Sequence, residues 1–138
     1  MRVLHHISVD ALPLVALLDA GQPVVLKGIA RDWGLVQAGL RSVDNAIASL
    51  RGLDAGAPVQ YSFGDADIQG RPFYNKDFTQ LNFDVRRGRL AEVLEGIAAH
   101  LDDPHPPTYY VASLLIERSL PGFTAVNRLP LARYGIVA

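Results

Sequence analysis

Four histidines are the residues best suited to metal or acid–base chemistry in this sequence. His100 and Asp102 are two residues apart, the spacing of an H-x-D pair of metal ligands. That spacing suits a metal when both residues lie on a strand, because alternate strand residues point to the same side. His100 instead closes a predicted helix, where two residues span roughly 200° and the side chains diverge. The pattern favours a histidine that compensates a helix dipole, and we assign no metal ligand.

Other residues of catalytic type lack the spacing that their chemistry needs. The pair His5-His6 favours a strand edge with one ring inward and one outward over a weakly bound divalent ion. Asp65 and Asp67 fall in a turn, and the later ligands of a calcium loop are missing. Serine nucleophiles lack the G-x-S-x-G turn. A small hydrolase or isomerase would rest on composition alone, so no catalytic residue is assigned.

Three tyrosines on predicted strands are better candidates for a binding role. Tyr61, Tyr109 and Tyr110 carry phenols that need a polar partner if they are buried. A phenol at the mouth of a barrel can hold a substrate carboxylate. For each tyrosine taken singly, a core ring with its hydroxyl at the surface is the simpler interpretation.

Length and composition limit the class of protein. The chain has 138 residues, 49% of them hydrophobic and 20% charged, which suits one domain with a real core. It has no cysteine, so disulfides and thiolate zinc sites are excluded. The net charge of -1 gives no broad field for nucleic acid, and the apolar runs are shorter than the roughly 20 residues of a membrane span. We expect a cytoplasmic protein without nucleic-acid or membrane partners.

Helices and strands alternate irregularly along the chain, so the sequence predicts the α+β class. The clearest helix, Gly88–Leu101, has apolar residues at helical spacing and stops before Pro104. Arg86, Arg87 and Arg89 are interpreted as a solvated patch at its start. The other predicted elements are a helix over Asp10–Asp19, a strand over Gln22–Gly28, a helical turn over Arg31–Val36, a helix from Ser42, strands over Pro58–Phe63, Ile68–Tyr74 and Thr108–Leu115, a loop over Asn75–Phe83, and an extended segment over Asn127–Ala138.

The stretch G-Q-P-V-V-L-K-G-I-A-R-D-W, residues 21–33, resembles the opening of cupin-like proteins related to the JmjC oxygenases. Later elements follow in the family order, and the similarity extends from about Leu12 to Phe123. The resemblance implies a cupin-like double-stranded β-helix, or jelly roll. It also implies a dioxygenase that binds Fe(II) through H-x-D…H and uses 2-oxoglutarate and oxygen to hydroxylate a substrate. By its position in the Y-Y-V strand, Tyr110 would contact the 2-oxoglutarate carboxylate.

The sequence departs from that family pattern at the metal ligands. The family's H-x-D motif follows a later strand, and no histidine here lies beyond His105. We therefore expect residues 1–138 to form a single cupin-like (JmjC-like) domain that is truncated on its C-terminal side and has an incomplete barrel. Fe(II) and 2-oxoglutarate would be cofactors of a full-length protein, with none bound by this chain alone. The open sheet would recruit a second copy, as a homo-oligomer, or a missing C-terminal segment.

Two interpretations of function follow from the resemblance. In the first, the chain is the N-terminal part of a cupin-like Fe(II)/2-oxoglutarate-dependent hydroxylase-like protein and is inactive as given. In the second, it is a complete, non-catalytic binding or dimerisation module derived from the same fold. The substrate, whether a protein, another macromolecule or a small molecule, stays open.

Overall fold

The computed structural model describes residues 2–128 and residue 134, so most of the predicted segment Asn127–Ala138 lies outside the described residues. The strands are β1 (Arg2–His5), β2 (Val24–Lys27), β3 (Pro58–Gly64), β4 (Asp84–Arg89) and β5 (Thr108–Tyr110). The helices are α1 (Leu14–Ala20), α2 (Gly34–Arg41), α3 (Val43–Leu53), α4 (Leu90–Ala98), α5 (Ile116–Ser119) and α6 (Phe123–Val126). Short 3-10 turns occupy Val9–Ala11 and Ala66–Ile68.

The first part of the chain forms a two-stranded parallel sheet. β2 fulfils the predicted apolar strand and pairs with β1. The predicted helix from Asp10 begins late, because Ser8 caps a separate 3-10 turn and α1 starts only after Pro13. Gly21 ends α1 in the left-handed conformation at φ 58°. The expectation of one inward histidine is wrong: both are exposed, since His6 turns the chain at φ 53° directly after β1.

The helix predicted from Ser42 is confirmed as α3. The Ser42 hydroxyl accepts a hydrogen bond from the Asn45 backbone amide at 3.0 Å, which satisfies a free donor of the first turn. The same serine ends α2, which is a full helix where the sequence predicted only a helical turn. Ile47 is buried on the inward side of α3, whereas Val43, predicted on the same face, is 53% exposed.

A three-stranded antiparallel sheet in the order β4-β3-β5 carries the middle of the fold. β3 confirms the predicted alternating strand. β4 was not predicted: Arg86, Arg87 and Arg89 lie on this strand and at its end, not in the first turn of a helix. The strand predicted over Ile68–Tyr74 is wrong, because a 3-10 turn and an irregular loop occupy it, with a single bridge from Tyr74 to Leu81.

The core lies between the sheet and the helices α3, α4 and α5. Its buried members, five aliphatic side chains around the fully buried Val93, are Ile47, Val59, Leu90, Leu94 and Leu120. The predicted stripe of α4 is confirmed at Leu90, Val93 and Leu94, whereas Leu101 lies beyond the helix and is 44% exposed. The predicted buried strand Thr108–Leu115 is wrong in its second half, since β5 ends at Tyr110 and Ser113 bends the chain at φ 54°.

The fold is an α+β arrangement in which neither sheet closes on itself over the described residues. The parallel pair and the antiparallel triplet remain separate sheets there, so the jelly roll implied by the resemblance is not seen as a closed barrel. Among these same residues, no helix has the length and apolar character required to cross a bilayer.

Candidate functional site

Tyr110 lies on the face of the three-stranded sheet that points away from α4. On the opposite face, Val59 belongs to the buried core, and Tyr61 and Tyr109 pack against that core. Because side chains alternate along a strand, Ser62, the residues paired with it and those two positions along each strand point away from that core. We call this side the outer face, and its central members are Gln60, Ser62, Val85, Arg87 and Tyr110.

The register brings these five side chains into one patch. Tyr110 pairs with Ser62, and Ser62 pairs with Val85 on the far strand. Arg87 pairs with Gln60, one step further along the sheet. Tyr110 is 54% exposed and Val85 55% exposed, so the patch is open to solvent.

The chemistry of the outer face suits an anion. Its polar groups are a phenol, a guanidinium, a hydroxyl and an amide, all of which can donate hydrogen bonds. No aspartate or glutamate lies on this face of the described strands, because the one acidic residue of β4, Asp84, pairs with Phe63 on the opposite side. A small carboxylate is therefore a suitable ligand for this patch.

The two adjacent arginines of β4 differ in their surroundings. Arg86 lies 3.7 Å above the Phe63 ring centroid and donates to Asp84 at 2.9 Å. The hydrogen bond to Asp84 raises the pKa of the Arg86 guanidinium above its ordinary value. Arg87 projects to the outer face, and none of the described carboxylates pairs with it. Arg87 is consequently the cation available to a ligand.

Tyr61 and Tyr109 serve the core. Their rings stack with centroids 6.2 Å apart, and Phe63 meets Tyr109 edge-on at 5.1 Å. Gly96 of α4 leaves room for Tyr109, because a Cβ there would lie 2.6 Å from the ring carbon Cζ. For these two tyrosines the simpler interpretation, a core ring, therefore describes their packing.

The structure does not build the H-x-D pair considered for the sequence. His100 donates from Nδ1 to the carboxylate of Asp103 at 3.3 Å, so its partner is Asp103 and not Asp102. His100 follows the C-terminus of α4, as the helix-end interpretation requires. Asp65 and Asp67 are exposed at the 3-10 turn Ala66–Ile68, in agreement with their interpretation as turn residues.

Comparison with known protein families matches residues 14–136 to the cupin-like domain. That match spans most of the chain, and the chain belongs to the cupin-like family. No curated protein and no solved structure matched it.

The sequence predicts a binding role for Tyr110 but gives no such signal for the other residues of the outer face. The sequence pattern places Arg87 in a solvated helix start, and Gln60 and Ser62 on the polar side of a strand. The only local signals for β4 are the β-branched Val85 and the weak helix former Gly88. Both are outweighed in the sequence by the strong helical pattern that follows at once.

Proposed function

We propose that this chain is the N-terminal part of a cupin-like Fe(II)/2-oxoglutarate-dependent hydroxylase-like protein, in which the outer face takes 2-oxoglutarate. Tyr110 would donate its phenol to one carboxylate, and Arg87 would pair with the other. The observation that carries the proposal is the exposed patch of donors around Tyr110, on a face free of acidic residues in the described strands.

The spacing of the two principal residues suits a dicarboxylate. Tyr110 and Arg87 lie on the two outside strands and differ by two residues in register. With strands about 4.8 Å apart and a rise of about 3.3 Å per residue, their Cα atoms are about 12 Å apart. Because strand side chains stand roughly perpendicular to the sheet, the phenol and the guanidinium are separated by a similar distance, which a five-carbon diacid can span with a hydrogen bond at each end. Ser62 and Gln60 lie on the strand between them.

The described residues offer no comparable site for an iron ion. No group of three or more histidine, aspartate or glutamate side chains among residues 2–128 and 134 is placed to hold a metal ion. The proposal therefore assigns the iron ligands to residues outside that part of the protein. In the class of protein proposed, 2-oxoglutarate is the co-substrate that is decarboxylated as oxygen is consumed.

The test is calorimetric titration of 2-oxoglutarate into the chain and into the Tyr110→Phe variant. Loss of one charge-assisted hydrogen bond costs about 1.5–3 kcal/mol, so the dissociation constant should rise about tenfold or more. Tyr74→Phe is the control, because Tyr74 is also an exposed tyrosine but lies on the loop between β3 and β4. Equal affinities for the Tyr110→Phe variant and the unaltered chain would remove Tyr110 from the site.

Adjacent arginines provide a second matched pair. Arg87→Gln should weaken 2-oxoglutarate binding, whereas Arg86→Gln should leave it unchanged, since Arg86 faces the opposite side of the sheet. A separate assay tests the hydroxylase class itself. In it, 2-oxoglutarate is added to the product of the complete reading frame, and the release of carbon dioxide is measured. Binding without decarboxylation there would keep the carboxylate site and reject the enzyme.

A non-catalytic binding or dimerisation module is the second candidate. The observation that favours it is the pair of outside strands, β4 and β5, each of which has one edge without a partner strand in the described structure. Such edges offer backbone hydrogen bonds to another chain.

A further inference from the structure

A cleft of about 710 Å³ is lined by Thr108 and Tyr109 of β5 but not by Tyr110. It runs between the C-terminal end of α4, the proline-rich segment 104–107 and the turn that contains Gln69. Its volume falls in the range of about 300–1,000 Å³ that is common for small-molecule sites. The cleft is therefore large enough for a compact organic molecule.

The walls of the cleft combine apolar surface with a few donors. Ile97, Leu101, Pro107 and the Tyr109 ring provide apolar and aromatic surface. The polar side chains are those of Gln69, Thr108 and two histidines, and no carboxylate is among the described lining residues. This balance suits a ligand with an apolar body and one acceptor group.

One histidine of the cleft is held in a fixed orientation. His100 donates from Nδ1 to Asp103, which leaves Nε2 as the ring nitrogen for a ligand. Asp103 also accepts from the His105 backbone amide at 2.9 Å. That backbone hydrogen bond, and next the one from His100, lower the pKa of the Asp103 carboxyl below its ordinary value. The Asp103 carboxylate therefore anchors the His100 ring from its Nδ1 side.

We propose that this cleft binds a small carboxylic acid with a compact apolar body, its carboxylate held by His100 and His105. On binding, His100 takes up a proton from the solvent, so that its ring donates from Nδ1 to Asp103 and from Nε2 to the carboxylate of the ligand. The titratable groups around His100 are Asp103 behind the ring and His105 and Tyr109 on the walls. The proposal is independent of the function of the outer face, since none of the five residues that define that face lines the cleft.

Titration of benzoate into the chain, followed through the histidine ring signals by NMR, tests the proposal. Benzoate should shift the His100 and His105 signals saturably and leave His5 and His6 unchanged. His100→Gln and His105→Gln should each raise the dissociation constant about tenfold or more, since each removes a charge-assisted hydrogen bond. His5→Gln is the control, because His5 is exposed on β1 and does not line the cleft.

Two further measurements distinguish carboxylate binding at His100 from non-specific binding. Calorimetry in two buffers of different ionisation enthalpy should show net proton uptake on binding, and Asp103→Asn should reduce both the uptake and the affinity. Benzylamine, which has the same ring and the opposite charge, should not shift the His100 signal. An unchanged His100 signal at saturating benzoate, or equal shifts with benzylamine, would overturn the proposal.

Discussion

Asn127 connects two distant parts of the chain through a single buried side chain. It is only 5% exposed, and its Oδ1 accepts from the Leu35 backbone amide at 2.8 Å. Its Nδ2 donates to the Phe123 carbonyl at 2.9 Å, so the amide caps α6 and the start of α2 together. Trp33 supports the same junction by donating to the Arg128 carbonyl at 3.1 Å.

Asn127→Ala should lower the free energy of unfolding by about 1–3 kcal/mol, because it leaves the Leu35 amide without its acceptor. Chemical denaturation followed by tryptophan fluorescence measures the change. Gln22→Ala is the control, since Gln22 is exposed ahead of β2 and should change stability by less than about 0.5 kcal/mol. A loss no greater than that of the control would show that water replaces the amide at no cost.

At the scale of elements, α4 and β5 depend on each other through one glycine. A Cβ on Gly96 would lie 2.6–2.8 Å from two ring carbons and the phenol oxygen of Tyr109. That ring cannot yield freely, because Tyr61 stacks on it and Phe63 meets it edge-on. The close approach of helix and strand therefore needs a residue without a side chain at position 96.

Gly96→Ala should destabilise the protein by about 1–2 kcal/mol, since overpacking costs more than the helix propensity of alanine returns. Gly52→Ala is the matched control in α3, where no atom lies within 4 Å of the added Cβ. There alanine should stabilise by about 0.5–1 kcal/mol. Thermal unfolding of the two variants should shift the midpoint in opposite directions; a shift in the same direction would mean that Tyr109 moves aside without cost.

At the scale of the whole molecule, the open sheets are the feature best suited to contact another chain. β4 and β5 are the outside strands of the three-stranded sheet, and Val85 of β4 is exposed on its outer face. If the dimerisation module is the correct function, a second copy covers this face.

Sedimentation velocity over a range of concentrations tests that expectation. The chain should self-associate, and Val85→Lys should weaken the association about tenfold or more, because it places an unpaired charge in the contact. Val15→Lys adds the same charge at a 68% exposed position on α1 and should have no effect. A monomer at all concentrations, or equal effects of the two variants, would reject the outer face as the contact.

Local patterns were enough to predict those elements whose signal is complete within a few residues. Ser42 caps the first turn of α3 with its own side chain. The alternation of β3 and the apolar stripe of α4 are likewise visible within each segment alone. The stretch 21–33 indicated the cupin-like family, which the match over residues 14–136 then established. Tyr110 followed from that resemblance and from its position on a strand.

Strand pairing and side-chain partners could be decided only by the tertiary structure. The residues D-V-R-R-G-R become β4 because β3 offers them an edge, a contact between segments about twenty-five residues apart that no local pattern carries. That pairing places Arg87 on the same face of the sheet as Tyr110 and sends Arg86 to the opposite face. The contact of His100 with Asp103 is by contrast local, because a turn in which the Asp103 amide donates to the His100 carbonyl at 3.2 Å brings the two side chains together. The residue types for binding are thus present in the sequence, but their assembly into a site depends on long-range packing.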